Sequence, residues 1–204
     1  MLKAAYELVC ELGYEATTMA AIAERAGVAV QTLYFTFHTK PAVLSEVLHA
    51  SVVGFDLWSP ALNRDVHRDH RSVAREKMPW FRPFEAESDP RKAIALYVEG
   101  TAEILARVGP LLVNLGAQPT AELQATLTDS ERLREEACTM IVSALRTKGR
   151  GLRASLSVSQ AVDIFFVLTR AELYYDLTVR RAWSHAQAKT WLTQLLAQQL
   201  LAEP

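Results

Sequence analysis

Uncharged hydrogen-bonding side chains cluster between residues 30 and 37, on the side of a predicted helix opposite its apolar stripe. Amides and hydroxyls of this kind suit contact with base edges in a DNA groove, whereas a purely structural helix rarely needs them. The apolar stripe consists of Val30, Leu33 and Phe37. The polar side carries Gln31, Thr32, Tyr34 and Thr36. The segment is therefore a candidate for a helix that lies against DNA.

A second short helix is predicted immediately before this one. Apolar side chains between residues 19 and 26 recur at helical spacing, and the pattern stops at Gly27, which tolerates a left-handed backbone. Thr18 is placed to cap the start of that helix. Two short helices joined by a tight turn indicate a helix-turn-helix, although the pattern alone fits a helical hairpin in an all-α core equally well.

Two further helices frame this pair. An apolar stripe from Ala5 to Leu12 ends at Gly13 and predicts a first helix that packs across the pair. Thr39 can cap a fourth helix, with Pro41 in its first turn, where the missing N–H costs nothing. This fourth helix would connect the small head to the remainder of the chain.

Several motifs within residues 1–50 share their residue types and order with a known family. They are Ala4-Ala5, Leu12-Gly13-Tyr14, Thr17-Thr18, Ile22-Ala23-Glu24-Arg25-Ala26-Gly27-Val28 and Thr32-Leu33-Tyr34-Phe35-Thr36-Phe37-His38-Thr39-Lys40. In these motifs the sequence resembles the TetR family of bacterial transcriptional regulators. The resemblance implies an all-α fold of nine to ten helices. A three-helix DNA-binding head would occupy residues 1–50, and a larger helical body for ligand binding and dimerisation would occupy residues 51–204.

The resemblance also implies which head residues contact DNA. Base contacts fall on the start of the recognition helix, where the amide of Gln31 can pair with adenine and a methyl group can meet thymine. Phosphate contacts fall on hydroxyls, on Lys40 and on the N-terminal amides that follow Thr18. Phe35 either packs along the groove wall or belongs to the core. The full set is Thr18, Val30, Gln31, Thr32, Tyr34, Phe35, Thr36 and Lys40.

The head departs from the family pattern in charge and at three positions. Thr36 stands where histidine is common, Ala20 where some members carry a basic residue, and Ala29 where a serine cap is frequent. Three basic side chains against five acidic ones give residues 1–50 a formal net charge of −2. Most DNA-binding heads are basic, so we expect modest affinity that depends on shape, or a basic arm upstream of Met1.

Composition excludes several other classes of protein. No uninterrupted run reaches the roughly 18 apolar residues that a bilayer-spanning helix needs, and the start lacks the pattern of a secretion signal. Two distant cysteines, Cys10 and Cys138, indicate core positions in a cytoplasmic protein rather than a disulfide framework. The five histidines are not spaced as a metal site or catalytic triad requires, and the only close pair is His67 with His70. We therefore predict no enzyme, no metal and no cofactor.

The body is predicted to consist of helices throughout. The charged stretch from Trp58 to Asp89 indicates a loop and an irregular helix over 73–84. A helix should start at Pro90 and break or kink near Gly109-Pro110, before a short helix from Leu111 to Leu115. Capping patterns at Thr128, Ser157 and Ser184 predict helices over 129–148 and 158–179 and a last one to the C-terminus.

Apolar residues occupy more than one side of the predicted helix 158–179. A surface helix buries only one apolar stripe against its own core, so other parts of the protein must cover the second one. The resemblance implies a homodimer through helices near 131–146 and 160–176; burial within one subunit is the alternative. A dimer would bind a palindromic double-stranded DNA operator, because its two recognition helices lie a whole number of helical turns apart.

The resemblance further implies a small-molecule inducer pocket among the middle helices. Aromatic and polar side chains there indicate a largely apolar cavity with a few orienting groups, although each residue alone also fits a core role. Arg170 and Glu172 within an apolar segment need a ligand, or an ion-pair partner that a second subunit could equally supply. The candidates are Trp58, Trp80, Phe84, Tyr97, Asn114, Phe165, Arg170 and Tyr174.

The sequence therefore predicts a TetR-like, ligand-responsive regulator, most simply a repressor that an apolar ligand releases from its operator; activation is also open. The alternative is a helical ligand carrier or interaction dimer with weakened DNA binding, favoured by the acidic head.

Overall fold

A computed structural model describes residues 1–59, 70–115 and 121–202, without the side chains of residues 70–72 and 122. His67, half of the predicted histidine pair, and Gly116, predicted to close a helix, lie outside these residues. The predicted all-α fold is confirmed. The helices are α1 (Leu2–Leu12), α2 (Met19–Ala26), α3 (Val30–Phe37), α4 (Lys40–Val53), α5 (His70–Lys77), α6 (Phe81–Ala86), α7 (Pro90–Val113), α8 (Ala121–Arg146), α9 (Val158–Leu168), α10 (Ala171–Tyr175), which continues as a π-helical turn (Asp176–Arg180), and α11 (His185–Leu200).

Side-chain caps fix several helix starts where the sequence predicts them. Thr18 accepts a hydrogen bond from the N–H of Ala21 at 3.1 Å, and Thr39 accepts one from Ala42 at 3.2 Å. Ser157 and Ser184 each form a complete capping box with the glutamine three residues later. These local signals were sufficient because each cap depends only on residues within one turn of the helix.

Of the predicted break or kink at Gly109-Pro110, the break is wrong, and so is the separate short helix from Leu111. Helix α7 runs on to Val113 with Pro110 inside it. Proline removes one backbone donor, but Leu111 is fully buried against the head, and burial of this side chain favours the continued helix. Tertiary packing therefore outweighs the local preference against proline.

Three other boundaries in the body also differ from the predicted ones. Thr128 does not cap a helix, because α8 starts at Ala121 and the Thr128 hydroxyl donates to the carbonyl of Gln124. The irregular helix over 73–84 is two helices separated by a turn at 78–80. The helix over 158–179 is interrupted after Leu168, where the hydroxyl of Thr169 donates to the carbonyl of Phe165 at 2.7 Å.

The described residues form two apolar cores. The body core lies among α6, α7, α8, α9, α10 and α11. The head core lies among α1–α4 and also receives Leu111 from α7, Leu115 from just after it and Leu123 from α8. Helices α7 and α8 therefore contribute to both cores, so the head is packed directly on the body.

Candidate nucleic-acid interface and effector region

The turn between α2 and α3 has the geometry that a helix-turn-helix requires. Gly27 adopts a left-handed backbone with φ 66° and ψ 33°, and the N–H of Val28 donates to the carbonyl of Ala23 at 3.0 Å. Ile22, Ala23 and Leu33 are at most 1% exposed, so the two helices are held together by their buried sides. The opposite side of α3 is left to solvent.

Helix α3 separates its buried and exposed residues as the sequence predicts. Leu33 and Phe37 are buried, and Val30 packs half-buried against the head core. Phe35 is 86% exposed, which places it on the surface and removes the core interpretation of this residue. The exposed residues are Gln31, Thr32, Tyr34, Phe35 and Thr36.

Lys40 holds the loop that precedes α2. Its ammonium donates to the carbonyls of Tyr14 at 2.9 Å and Thr17 at 3.0 Å, and it lies 4.1 Å from the centre of the Tyr14 ring. A lysine bound in this way positions Thr18, the cap of α2, relative to α4. A phosphate contact by Lys40 would have to share these donors.

Arg25 is likewise committed within the head. Its guanidinium forms two hydrogen bonds with the carboxylate of Glu11, at 3.0 and 2.9 Å, and joins α2 to α1. Hydrogen bonding from Arg25 lowers the pKa of Glu11. Because Lys40 and Arg25 are two of the three basic residues in residues 1–50, the exposed side of α3 presents hydroxyl, amide and aromatic groups rather than cations.

Direct hydrogen bonds join the head to α7. The N–H of Tyr14 donates to the carbonyl of Asn114 at 2.9 Å, and the hydroxyl of Tyr6 donates to the carbonyl of Arg107 at 2.9 Å. Burial, above all, raises the pKa of Tyr6 to about 12. Arg107 in turn donates to the carbonyl of Ser51 on α4 at 3.0 Å. These hydrogen bonds therefore connect α7 directly to α1 and α4.

Two predicted ligand contacts lie at this joint rather than among the body aromatics. Asn114 caps the end of α7, and its amide donates to the carbonyl of Pro110 at 2.7 Å. Trp58 packs against the head core.

The structure brings four of the other candidates together in the body core. The ring centres of Trp80 and Tyr97 are 5.4 Å apart, those of Tyr97 and Phe165 are 4.9 Å apart, and Phe84 lies 6.2 Å from Trp80. Phe81, which sequence reasoning missed, lies 5.6 Å from Trp80. Its spacing of three from Phe84 was the available signal, since residues three apart share one side of a helix.

The last two candidates, Arg170 and Tyr174, have partners within the subunit. Arg170 donates to the carboxylate of Glu172 at 2.7 Å, which supplies the ion-pair partner that the sequence required. Burial favours the neutral form of Glu172, but the hydrogen bond from Arg170 and other favourable contacts outweigh it and lower its pKa. The hydroxyl of buried Tyr174 lies 2.9 Å from Nδ1 of His185 on α11.

The guanidinium of Arg134 lies near Tyr97. The guanidinium of Arg134 stacks 3.4 Å above the Phe166 ring, and its Nη1 donates to the carbonyl of Phe166 at 2.9 Å. Burial lowers the pKa of Arg134 and raises the pKa of Cys138, one turn further along α8, to about 11. Burial also raises the pKa of Tyr97. Sequence reasoning missed Arg134 because it lies in a charged stretch that resembles a solvent-exposed surface.

Within the described ranges, no helix is long and apolar enough to cross a membrane. The same residues contain no group of three or more His, Cys, Asp or Glu side chains arranged to hold a metal ion. Cys10 is half-buried and Cys138 is buried, and both are free thiols.

The fold and the exposed α3 define a helix-turn-helix head packed on a helical body. Residues 1–47 match the family model of "Bacterial regulatory proteins, tetR family". The N-terminal domain is therefore that of the TetR family, and the whole chain has the fold of TetR-family regulators. No curated protein has a significant sequence match to this chain.

Solved structures of similar fold cover nearly the whole chain. NalD of Pseudomonas aeruginosa, the secondary repressor of the MexAB-OprM multidrug efflux pump, is 17% identical with a TM-score of 0.63, over 100% of this chain and 95% of that one. Bacillus subtilis FadR, solved with stearoyl-CoA, is 16% identical with a TM-score of 0.60, over 96% and 95%. A TetR-family regulator of Syntrophomonas wolfei is 16% identical with a TM-score of 0.66, over 97% and 91%. At these identities the similarity establishes the fold.

Proposed function

We propose that this protein is a ligand-responsive transcriptional regulator, a cytoplasmic repressor that binds a palindromic operator as a homodimer and is released by a small, largely apolar ligand. The observation that carries the proposal is the exposed side of α3. Five of the six positions from Gln31 to Thr36, all except buried Leu33, present amide, hydroxyl and aromatic groups to solvent. A helix of this composition after a left-handed turn fits the major groove.

Base contacts in this proposal come from Val30, Gln31 and Thr32 at the start of α3. Phosphate contacts come from neutral groups, namely the hydroxyls of Tyr34 and Thr36 and the first N–H groups of α2 behind Thr18. Phe35 lies along the groove wall. Lys40 acts mainly by holding the loop before α2, because its ammonium already donates to two backbone carbonyls.

Dimerisation is proposed through the helices near 131–146 and 160–176. Exposed apolar residues support it, since Val167 on α9 is 58% exposed and Val179 in the π-helical turn is 57% exposed. A symmetric contact between two copies would cover such residues and set two α3 helices at operator spacing.

Release by ligand requires a connection between the body and the head. The hydrogen bonds from Tyr6 and Tyr14 to the main chain of α7 provide it, and Arg107 extends it to α4. A ligand that prefers a shifted α7 would reposition both heads, and a coupling of about 1–3 kcal/mol is typical of such systems. The repressor activity named for NalD and the ligand held by FadR support this assignment by analogy of fold.

A second candidate, a helical ligand carrier with weak DNA binding, is favoured by the net negative charge of residues 1–50. Selection from a pool of random double-stranded DNA distinguishes the two functions. A regulator enriches sequences with two-fold symmetric half-sites, and Gln31→Ala relaxes the preference at one position in each half. Thr190→Ala, at an exposed position of α11, is the control and should leave the selected sequence unchanged. Absence of any enriched sequence would favour the carrier.

A further inference from the structure

Two buried nitrogen atoms in the body lack a hydrogen-bond partner. Within residues 70–115 and 121–202, as far as the structure describes their side chains, the buried polar atoms without a partner are Nε1 of Trp80 and Nη2 of Arg134. Both atoms are donors, and both are withdrawn from solvent. A buried donor without an acceptor is unfavourable, so a group that supplies oxygen atoms would be bound there preferentially.

The two donors belong to residues that both lie beside Tyr97. The Trp80 ring is 5.4 Å from the Tyr97 ring, in an edge-to-face arrangement. Arg134 lies near enough that its charge acts on the Tyr97 hydroxyl, and it is stacked on Phe166, next in sequence to the Phe165 that contacts Tyr97. Both donors therefore adjoin one apolar, aromatic region of the body core.

The charge around Arg134 also favours an anion. The carboxylate that acts on Arg134 is that of Glu172, which already accepts a hydrogen bond from Arg170 at 2.7 Å. Arg170 also has the charge of Glu131 nearby, whereas Arg134 shares Glu172 and keeps an unused buried nitrogen. A positive charge held against aromatic rings is stabilised most by a carboxylate, whose planar oxygens match a guanidinium.

Trp80 is the member of the aromatic group best placed to move. Its ring is only partly buried and lies on the bare backbone of Gly100, where an added Cβ would come within 2.1 Å of the ring carbon Cγ. By contrast, Phe81, Phe84 and Phe165 are at most 1% exposed. Rotation of the Trp80 ring would open space beside Tyr97, at the cost of its edge-to-face contacts with Phe81 and Phe84.

We propose that the ligand of the body is an apolar carboxylic acid, whose carboxylate accepts hydrogen bonds from Arg134 and Trp80 and whose hydrocarbon part packs against Tyr97 and Phe165. This inference rests on the proposed function and specifies the chemical class of its effector. Neither a cation nor a neutral hydrocarbon would accept hydrogen bonds from these two donors.

Calorimetric titration of the full-length protein with decanoate, and separately with decan-1-ol, tests the inference in the absence of DNA. We expect decanoate to bind at least ten times more tightly than decan-1-ol. Arg134→Met should weaken decanoate binding at least tenfold and leave decan-1-ol binding unchanged. Trp80→Phe, which removes the indole N–H and keeps a ring, should weaken decanoate binding severalfold.

Arg132→Met is the matched control, because Arg132 lies on the same helix and its side chain is exposed to solvent with acidic partners on the surface. It should leave decanoate binding unchanged. Arg134→Lys keeps the positive charge but loses the planar pair of donors, so it should retain intermediate affinity. This variant provides a test should the methionine variant fail to fold.

Equal affinities for decanoate and decan-1-ol, or decanoate binding that is insensitive to both Arg134 variants, would overturn the inference. Dissociation of a dimer in folded Arg134→Met, measured by light scattering, with decanoate binding unchanged, would instead assign Arg134 to the contact between subunits. Because DNA is absent from these titrations, a failure here leaves the proposed regulator intact, and selective DNA binding remains a separate test.

Discussion

The N–H of Tyr14 donates to the carbonyl of Asn114 at 2.9 Å, and the carbonyl of the same Tyr14 accepts a hydrogen bond from Lys40 at 2.9 Å. Tyr14 therefore connects the end of α7 in the body to the start of α4. It lies in the loop that leads to Thr18, the cap of α2. Any shift of α7 along its axis changes the position of this loop. The predictions below test this connection, the surface of α3 and the packing of the aromatic group.

Lys40→Met should destabilise the head. The substitution removes two charge-assisted hydrogen bonds to backbone carbonyls, and such bonds are worth about 1.5–3 kcal/mol when one partner is charged. Urea unfolding followed by circular dichroism gives the change. Lys3→Met, at an exposed position of α1, is the control. An unchanged free energy of unfolding, together with weaker DNA binding, would show that Lys40 serves phosphate contact alone.

Tyr6→Phe should lower stability at neutral pH by about 0.5–1.5 kcal/mol, the usual contribution of one hydrogen bond, because the bond to the Arg107 carbonyl is lost. The advantage of the wild-type chain should then shrink between pH 10 and 12. In that window the unfolded tyrosine, with its usual pKa of 10.0, has lost its proton, while burial holds the folded pKa at about 12. The unfolded state binds fewer protons, so stability falls as pH rises.

Urea unfolding of both chains at pH 7, 10 and 12 measures this difference. Tyr97, whose pKa burial also raises, is present in both proteins, so its titration contributes equally to each. A difference between the two chains that stays constant over the range would contradict the assigned burial of the Tyr6 hydroxyl.

Phe35→Ala should weaken DNA binding about tenfold while changing stability by less than about 0.5 kcal/mol, since a side chain that is 86% exposed contributes little to folding. Phe37→Ala, two residues further along, is the matched comparison. Phe37 is 8% exposed, so its truncation should cost about 3–5 kcal/mol. Thermal unfolding and fluorescence anisotropy on one DNA sequence separate the two effects. Loss of stability in Phe35→Ala would place that ring in the core.

Gly100→Ala should destabilise the body by about 1–3 kcal/mol, although the same exchange in an open helix normally stabilises. The added methyl would lie 2.1 Å from Cγ of Trp80 and 2.2 Å from its Cβ, which rotation of the side chain cannot move. In a Trp80→Gly background the penalty should disappear, because Cβ and the ring of residue 80 are both gone. Urea unfolding of the four proteins completes the cycle. An equal penalty in both backgrounds would place the conflict elsewhere.

The head was predictable from sequence because its determinants are local. Thr18 caps within its own helix, Gly27 needs only its own backbone conformation, and the alternation of Leu33 and Phe37 with polar residues defines the sides of α3. No residue outside this short segment is needed to obtain the turn.

The body was less predictable because distant contacts decide it. Pro110 remains helical because Leu111 is buried against the head, and Thr128 is internal because α8 begins at Ala121, close to Leu123 in the head core. Arg134 looks like a surface residue in sequence, and only the packing of α8 against α9 places it on Phe166. The spacing of residues along the chain carries no information about these contacts between distant segments.

Fluorescence anisotropy on DNA from immediately upstream of the protein's own gene, compared with scrambled DNA across a salt series, tests the central claim most directly. The account predicts preferential binding to the upstream DNA, with a shallow dependence of the logarithm of affinity on the logarithm of salt concentration. The dependence is shallow because Arg25 and Lys40 are committed within the head and few cations meet phosphate. Equal binding to both DNAs that falls steeply with salt would contradict specific recognition by the neutral side of α3.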